Sequence, residues 1–167
     1  MSTSRLGAVF IVGIVSGLPA DAVAQDRAWA IDGSVGYTGL VDDAAKNYLT
    51  VGGSVRRHVS PRISVGPELV VMTNGARLRD RLVMATGNVT FDVGPATARG
   101  TPFLVAGFGM FAGRENFPSG PFWSSDPAFT VGGGVRARIG DRVSIGGEYR
   151  LGWELHHRVT ATAGFRW

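Results

Sequence analysis

The feature that most constrains this chain is an alternation of apolar and polar side chains along most of its length. In residues 29–41 the odd positions include Trp29, Ile31 and Tyr37, while the even positions are mainly small or polar. Successive side chains of a β-strand point to opposite faces, so this period of two predicts a strand with one apolar face. The same pattern predicts strands at residues 48–57, 63–72, 81–93, 129–139, 143–153 and 158–167, and a more ambiguous one, apolar on both faces, at residues 103–111.

Eight such strands have the length and number of a small membrane barrel. A tilted strand crosses a bilayer in about 9–11 residues. An even number of antiparallel strands can close on itself and leave no unpaired edge in lipid. The sequence therefore predicts an all-β fold, an eight-stranded antiparallel up-and-down transmembrane β-barrel.

The first residues predict export rather than a part of this fold. Arg5 precedes an uncharged, mostly apolar run at residues 6–18, and Ala22-Val23-Ala24 follows it. This order is typical of a cleavable secretory signal peptide, and the run is short for a membrane-spanning helix of about 20 residues. We expect a signal peptide at residues 1–24 and an outer-membrane β-barrel domain at residues 25–167.

The connections predict which end of the barrel faces outward. Residues 58–62, 94–100 and 140–142 form one set of turns, on the side of both termini. Residues 42–47, 73–80, 112–128 and 154–157 form the other set, which contains the longest loop. Since outer-membrane barrels have short periplasmic turns and longer extracellular loops, we expect the termini to face the periplasm. Aromatic side chains near both strand ends are expected to form two interfacial belts (Trp29, Phe91, Phe103, Phe165 and Trp167; Tyr37, Phe111, Phe129 and Trp153).

The predicted inward face carries charges, which must be paired or hydrated in a narrow interior. The expected lumen network consists of Asp32, Arg56, Glu68, Asp92, Arg136, Arg138, Glu148, Arg150, Arg158 and Arg166. We expect its centre at Glu68, Glu148, Arg136 and Arg150, where it plugs the lumen. Glycines on this face are expected to make room for the arginines (Gly52, Gly66, Gly132, Gly134 and Gly146). A gated ion path is the alternative.

Composition excludes several other classes. The chain has no cysteine, so it has neither a disulfide framework nor a cysteine-based metal site. Its formal charge is +4, but the basic residues, of which Lys46 is the only lysine, are spread singly along the strands. This distribution gives no clustered basic patch for nucleic acid. We expect no nucleic-acid partner, no cofactor and no metal.

The chain resembles the OmpA-like and OmpX-like outer-membrane β-barrel proteins of Gram-negative bacteria, sometimes grouped with the porins. Residues 102–109, 132–150 and 164–167 carry this resemblance, together with the signal peptide and the strand pattern. It implies location in the outer membrane, with membrane lipid and the barrel-assembly machinery as partners. Phe165 and Trp167 are implied to be the assembly signal, although the family usually ends in Phe.

Several functions fit such a barrel. The first is a structural or surface-interaction role through residues 112–128, where Phe117, Phe122 and Trp123 are the expected contacts. A narrow pore is the second. A third is a lipid-modifying enzyme, for which one loop offers acid and base groups (Glu154, His156 and His157) and another offers hydroxyls (Ser119, Ser124 and Ser125). His156-His157-Arg158 contains no serine and so does not match a deacylase-type His-x-Ser motif, and we expect no catalytic residue. A soluble secreted β-barrel binder is the fourth, and it requires an apolar interior.

Overall fold

Eight strands make up the structure. The computed structural model describes residues 29–40, 47–74, 81–94, 99–117, 120–152 and 156–167. The strands are β1 (Trp29–Leu40), β2 (Asn47–His58), β3 (Ile63–Thr73), β4 (Arg81–Asp92), β5 (Gly100–Phe117), β6 (Gly120–Ile139), β7 (Val143–Gly152) and β8 (His156–Arg166). Within these ranges no helix is long and apolar enough to cross a membrane. The predicted signal peptide lies outside the described residues.

The strands form one closed barrel in which each pairs antiparallel with its neighbours in sequence, and β1 pairs with β8. This closing seam runs from Ala30↔Arg166 to Leu40↔His156. Beyond it, the backbone amides of Trp29 and Trp167 donate to each other's carbonyl oxygens at 3.1 and 3.0 Å. The predicted all-β, eight-stranded antiparallel barrel is confirmed.

The barrel has two distinct ends. The terminal end carries Trp29, Trp167, the turns at residues 59–62 and 140–142, and the described ends of the β4–β5 connection at residues 93–94 and 99; the opposite end is called the distal end. The turn between β2 and β3 is fixed by Ser60, whose hydroxyl accepts hydrogen bonds from the amides of Arg62 and Ile63. Gly140 starts the turn between β6 and β7 with φ +71°, a left-handed conformation that favours glycine.

The two faces of the barrel are opposite in polarity. Outward side chains are large, apolar and about half exposed along every strand, for example Val35 (53%), Leu104 (58%) and Val131 (54%). The buried inward set includes Arg56, Glu68, Arg150 and Arg158. A soluble barrel needs the reverse arrangement, with an apolar interior and a polar surface. The soluble-binder alternative is therefore disfavoured, and the outer face suits lipid.

The predicted loop at residues 112–128 is corrected by the structure. Most of it continues the β5–β6 ladder, from Ala112↔Ser125 to Phe117↔Gly120. The sequence is typical of a loop because it contains three prolines, of which Pro121 and Pro127 lie within the described residues. Those two prolines are tolerated because their missing N–H groups point away from β5. The Arg138 amide, which donates to Arg99, shows that even β6 positions face β5.

The β6 segment from Gly120 to Phe129 is therefore an edge. β7 pairs with β6 only from Thr130↔Gly152 onward, and no other described residue pairs with this side of the segment. Odd positions, including Pro121 and Pro127, face the open side. Proline on an edge strand prevents another strand from pairing there.

The inward glycines permit close strand contacts rather than mainly making space for arginine. A Cβ at Gly66 would overlap the carbonyl of Val55 on β2. At Gly132 it would overlap the carbonyl of Tyr149 and lie 2.9 Å from Cγ of Arg150. Among the five glycines expected to make room, Gly132 is the one whose nearest atoms include an arginine side chain. Strong curvature brings the backbones this close.

Candidate functional site

The centre of the lumen is built around Glu68, which β3 places between three donors. Oε2 of Glu68 accepts from Nη1 of Arg150 at 2.8 Å and from the amide nitrogen of Asn88 at 2.7 Å. Its Oε1 accepts from Nη2 of Arg158 at 2.8 Å. β4, β7 and β8 each supply one of these donors, so a single carboxylate joins strands from different sides of the barrel.

Glu148 completes the central cluster. Both of its oxygens accept from Arg150, at 2.5 Å from Nε and 3.1 Å from Nη2. Nη2 of Arg158 lies 3.4 Å from Oε1 of the same carboxylate. Arg150 also reaches the hydroxyl of Thr130 at 3.4 Å. Two carboxylates and two guanidinium groups thus form one connected set, which we call the central network (Glu68, Glu148, Arg150 and Arg158).

Arginine suits this set because its planar fork binds a carboxylate through two donors and stays charged. The side chains are almost fully buried, from 1% exposed for Arg158 to 9% for Glu148. Burying an isolated ion is expensive, but a paired and hydrogen-bonded one recovers much of that loss. Each group is therefore tolerated because the others are present.

Two further ion pairs lie nearer the terminal end. Asp32 on β1 accepts from Nε and Nη2 of Arg56 on β2, at 2.6 and 3.0 Å. Nη1 of Arg136 on β6 lies 3.4 Å from Oδ1 of Asp92 on β4. The guanidinium of Arg136 also lies 4.6 Å from the ring centre of Phe103, a cation–π contact. Phe103 is therefore an inward residue, 4% exposed, and its expected place in the outward aromatic belt is wrong.

The structure brings eight of the ten expected lumen charges into these pairs. The other two are Arg138, which is exposed, and Arg166, which is partly buried; neither forms an ion pair with a described residue. The expected centre included Arg136, but Arg158 occupies that position instead. Side-chain parity predicts the face of a residue, whereas its depth in the barrel depends on register. The register places Arg158 directly opposite Arg150.

A small polar cavity of about 40 Å³ adjoins these groups. Its walls include Ser34, Ser54, Thr90, Thr162 and charged members of all three ion-pair sets. It has room for a few water molecules. This part of the lumen is therefore polar and able to hold water, but too small for a solute.

The distal half of the lumen has different contents. A buried apolar cluster, with Phe111 packed against it, consists of Tyr48, Val70, Met72, Leu82, Met84 and Ala128. Val70 and Met84 have no exposed surface. The hydroxyls of Thr38 and Thr50 are buried and hydrogen-bond to each other at 2.7 Å. We call these residues the distal cluster. The alternation of apolar and polar residues did not predict the distal cluster, because its members lie on the same inward face as the polar residues and alternation does not distinguish the two groups.

The groups considered for acyl transfer are not arranged as a reactive set in the described residues. His156 is 4% exposed and belongs to β8, where it pairs with Gly152, so its interpretation as a surface loop residue is wrong. Ser124 and Ser125 pair with Gly113 and Ala112. Glu154 and Ser119 lie outside the described residues. No three His, Asp or Glu side chains of the described segments are grouped as a metal site.

The expected contact residues lie at the distal tip of β5 and β6. Phe117 pairs with Gly120, Phe122 with Glu115, and Trp123 with Arg114. The expected assembly signal lies at the other end, where the rings of Phe165 and Trp167 stack at 6.4 Å. Phe165 pairs with Ile31 across the closing seam.

Comparison with known proteins adds a structural class. No protein-family model and no curated protein matches the sequence. Among solved structures, Neisserial surface protein A is similar over 83% of this chain and 94% of its own, with 12% identity and a TM-score of 0.65. The N-terminal barrel of Pseudomonas aeruginosa OprF matches over 84% and 98%, at 12% identity and 0.62. Ail of Yersinia pestis matches over 84% and 97%, at 12% identity and 0.58.

These similarities, together with the apolar outer face, define the class of the fold. The chain has the architecture of small eight-stranded outer-membrane β-barrels. At this level of identity the comparisons establish the architecture alone, so the role of the chain must be argued from its own residues.

Proposed function

We propose that this protein is an integral outer-membrane β-barrel with a closed lumen and a structural or surface-interaction role. The observation that carries the proposal is the opposite polarity of its two faces. Lipid can solvate the apolar exterior, whereas the interior charges pair with one another. Residues 1–24 would direct export, and Phe165 with Trp167 would be read by the barrel-assembly machinery.

The lumen supports closure rather than transport. The distal cluster places Val70, Met72 and Met84 across one half, and the central network occupies the other. Eight-stranded barrels have interiors that side chains can fill. A narrow pore would require both layers to open, so we expect no conductance in planar bilayers.

The distal end supports a surface-interaction role. Within the described residues the β5–β6 hairpin extends farther than the other strand pairs, and Phe117, Phe122 and Trp123 lie at its tip. Two structural neighbours bear names that refer to the cell surface, Neisserial surface protein A and the attachment invasion locus protein Ail. Ail has also been crystallised with the heparin analogue sucrose octasulfate. A comparable extracellular partner is the role we propose for this hairpin.

Fractionation tests the location of the protein, and gel migration tests its barrel. We expect the protein in the outer-membrane fraction, migrating faster on a gel when unheated than when boiled. A soluble protein with no detergent requirement would contradict the proposal. Lipid A of unchanged mass in cells with and without the protein is also expected, because no acyl-transfer site is proposed.

Binding to the extracellular partner is tested separately. Whole cells displaying the wild type are compared with cells displaying a Phe122→Ala/Trp123→Ala variant for attachment to heparin-coated surfaces. We expect weaker attachment for the variant and no loss with Ser125→Ala, which alters the same hairpin. Equal attachment of all three would contradict a role for the aromatic tip.

A further inference from the structure

The terminal end of the barrel is surrounded by exposed arginines. They lie at strand ends and on the turns between strands, and we call them the arginine collar (Arg57, Arg62, Arg99, Arg138 and Arg142). Arg166 is partly exposed at the same end. None of these side chains forms an ion pair with a described residue. The lumen pairs do not explain them, so their charge is available to a ligand outside the barrel.

Negative charge is scarce beside the collar. Asp141 is the only exposed carboxylate among the described side chains. Asp32 and Asp92 lie at the same end but face inward and pair with Arg56 and Arg136. The terminal end therefore presents a surplus of fixed positive charge.

The collar is held by the barrel rather than by loose loops. The carbonyl of Arg62 accepts from the amide of Asp92, and that of Arg142 accepts from Arg166, both at 2.8 Å. The carbonyl of Arg99 accepts from Arg138 at 2.9 Å. These bonds tie each turn to the adjacent strand, so the backbone that carries these arginines is held at the rim.

The collar lies at the level expected for lipid headgroups. Exposed aromatic rings occupy the same strand ends, including Trp29 and Phe91 (both 42% exposed) and Phe165 (43%). Aromatic side chains of membrane proteins favour the interface between hydrocarbon and water. The guanidinium of Arg57 lies 5.7 Å from the ring centre of Trp29, which fixes the depth of one collar residue.

We propose that the arginine collar binds the phosphate groups of anionic phospholipids in the leaflet at the terminal end. This inference rests on the proposed function, because it requires the barrel to be in a membrane. Arginine is favoured over lysine for phosphate, since its fork donates two parallel hydrogen bonds. Attraction to anionic headgroups raises the association constant roughly fivefold for each nearby basic side chain. The collar repeats that attraction around the rim.

The test compares lipid preference in reconstituted vesicles. The full-length protein is inserted into phosphatidylcholine vesicles containing acyl-brominated phosphatidylglycerol or acyl-brominated phosphatidylcholine, and quenching of tryptophan fluorescence is measured. The measurement uses a Trp123→Phe/Trp153→Phe background, so that the two remaining tryptophans, Trp29 and Trp167, lie beside the collar and report lipid at the terminal end. We expect stronger quenching by the brominated phosphatidylglycerol, and a smaller difference at high salt.

Variants test whether the collar, rather than another part of the barrel, causes the preference for phosphatidylglycerol. Arg62→Gln/Arg99→Gln/Arg142→Gln is expected to lose most of the preference, whereas Arg81→Gln, at the distal end, is expected to retain it. Heat-modifiable gel migration verifies that each variant is folded. If the wild type inserts without a preference for phosphatidylglycerol, or if the triple variant keeps the preference, the lipid-binding proposal for the collar is overturned and the proposed function is not. Failure of the wild type to insert overturns the proposed function and the collar with it.

Discussion

The two halves of the lumen occupy the same barrel and are filled in different ways. The terminal half uses four carboxylates and four guanidinium groups, which balance in charge. The distal half uses apolar packing around Val70 and Met84. Packing depends on local shape, whereas a connected set of buried ions depends on every member. The two halves should therefore respond to substitution in different ways.

The largest effect is expected at the hub of the central network. Glu68→Leu removes the carboxylate shared by Arg150 and Arg158 and leaves Arg158 with one distant acceptor on Glu148. Breaking a buried ion pair in this way costs about 3–5 kcal/mol of unfolding free energy. Urea titration of the protein folded into vesicles measures that loss.

A paired variant shows whether the loss comes from unbalanced charge. Glu68→Leu/Arg158→Leu restores neutrality and keeps the Arg150–Glu148 pair. We expect the double variant to be more stable than Glu68→Leu. If the losses of unfolding free energy from the two single substitutions simply add, the ions are not coupled. The proposed difference between the two halves of the lumen would then be wrong.

In the distal half, Met84→Ala is expected to lower the unfolding free energy by about 3 kcal/mol, since it leaves a cavity in a fully buried cluster. Val83→Ala, its lipid-facing neighbour, serves as the control and should cost less than half as much. The same urea titration measures both. Equal losses would mean that the distal cluster is not tightly packed.

A smaller effect is expected at the one polar pair of the described distal cluster. Thr38→Val leaves the buried hydroxyl of Thr50 without its partner and should cost about 1–2 kcal/mol. Thr38→Val/Thr50→Val replaces both hydroxyls and should recover most of that stability. A double variant less stable than the single one would show that the distal half, too, depends on a polar network.

The smallest change in unfolding free energy is expected for two single cysteine variants, which test directly whether water reaches each half of the lumen. The absence of native cysteine allows single cysteine probes to be read without background. Ser144→Cys is half-buried at the terminal mouth of the lumen, in the second residue of β7, where a reagent reaches it without entering the cavity. Val70→Cys lies in the distal cluster. We expect a small water-soluble maleimide to label the first in the folded barrel and the second only after unfolding. Rapid labelling of Val70→Cys would mean that the distal half is open.

Period-two alternation located the eight strands, although β5 and β6 are much longer than predicted, and it identified the charges that pair in the lumen. It could not give their depth, because depth follows from the register between strands. Arg136 and Arg138 illustrate this limit: they share a face, yet one pairs with Asp92 and the other is exposed. The distal cluster was missed for the same reason.

The hairpin at residues 112–128 shows a second limit. Pro121 and Pro127 predict an irregular loop when read alone, because proline cannot donate a ladder hydrogen bond. The pairing with β5 shows that the ladder needs no backbone N–H group at either proline, because both positions face away from β5. Likewise, His156 seemed exposed because β8 was predicted to begin two residues later, at Arg158.

The closing seam has a consequence for the order in which the barrel can be completed. Arg158 belongs to the last strand, and three guanidinium groups would face four carboxylates in a barrel lacking β8. That unfinished interior would carry a surplus negative charge and would favour water over closure. Arrival of β8 supplies the missing cation and the hydrogen-bonding partner of β1 in the same step. A barrel missing its last strand therefore gains neither a neutral interior nor a sealed wall.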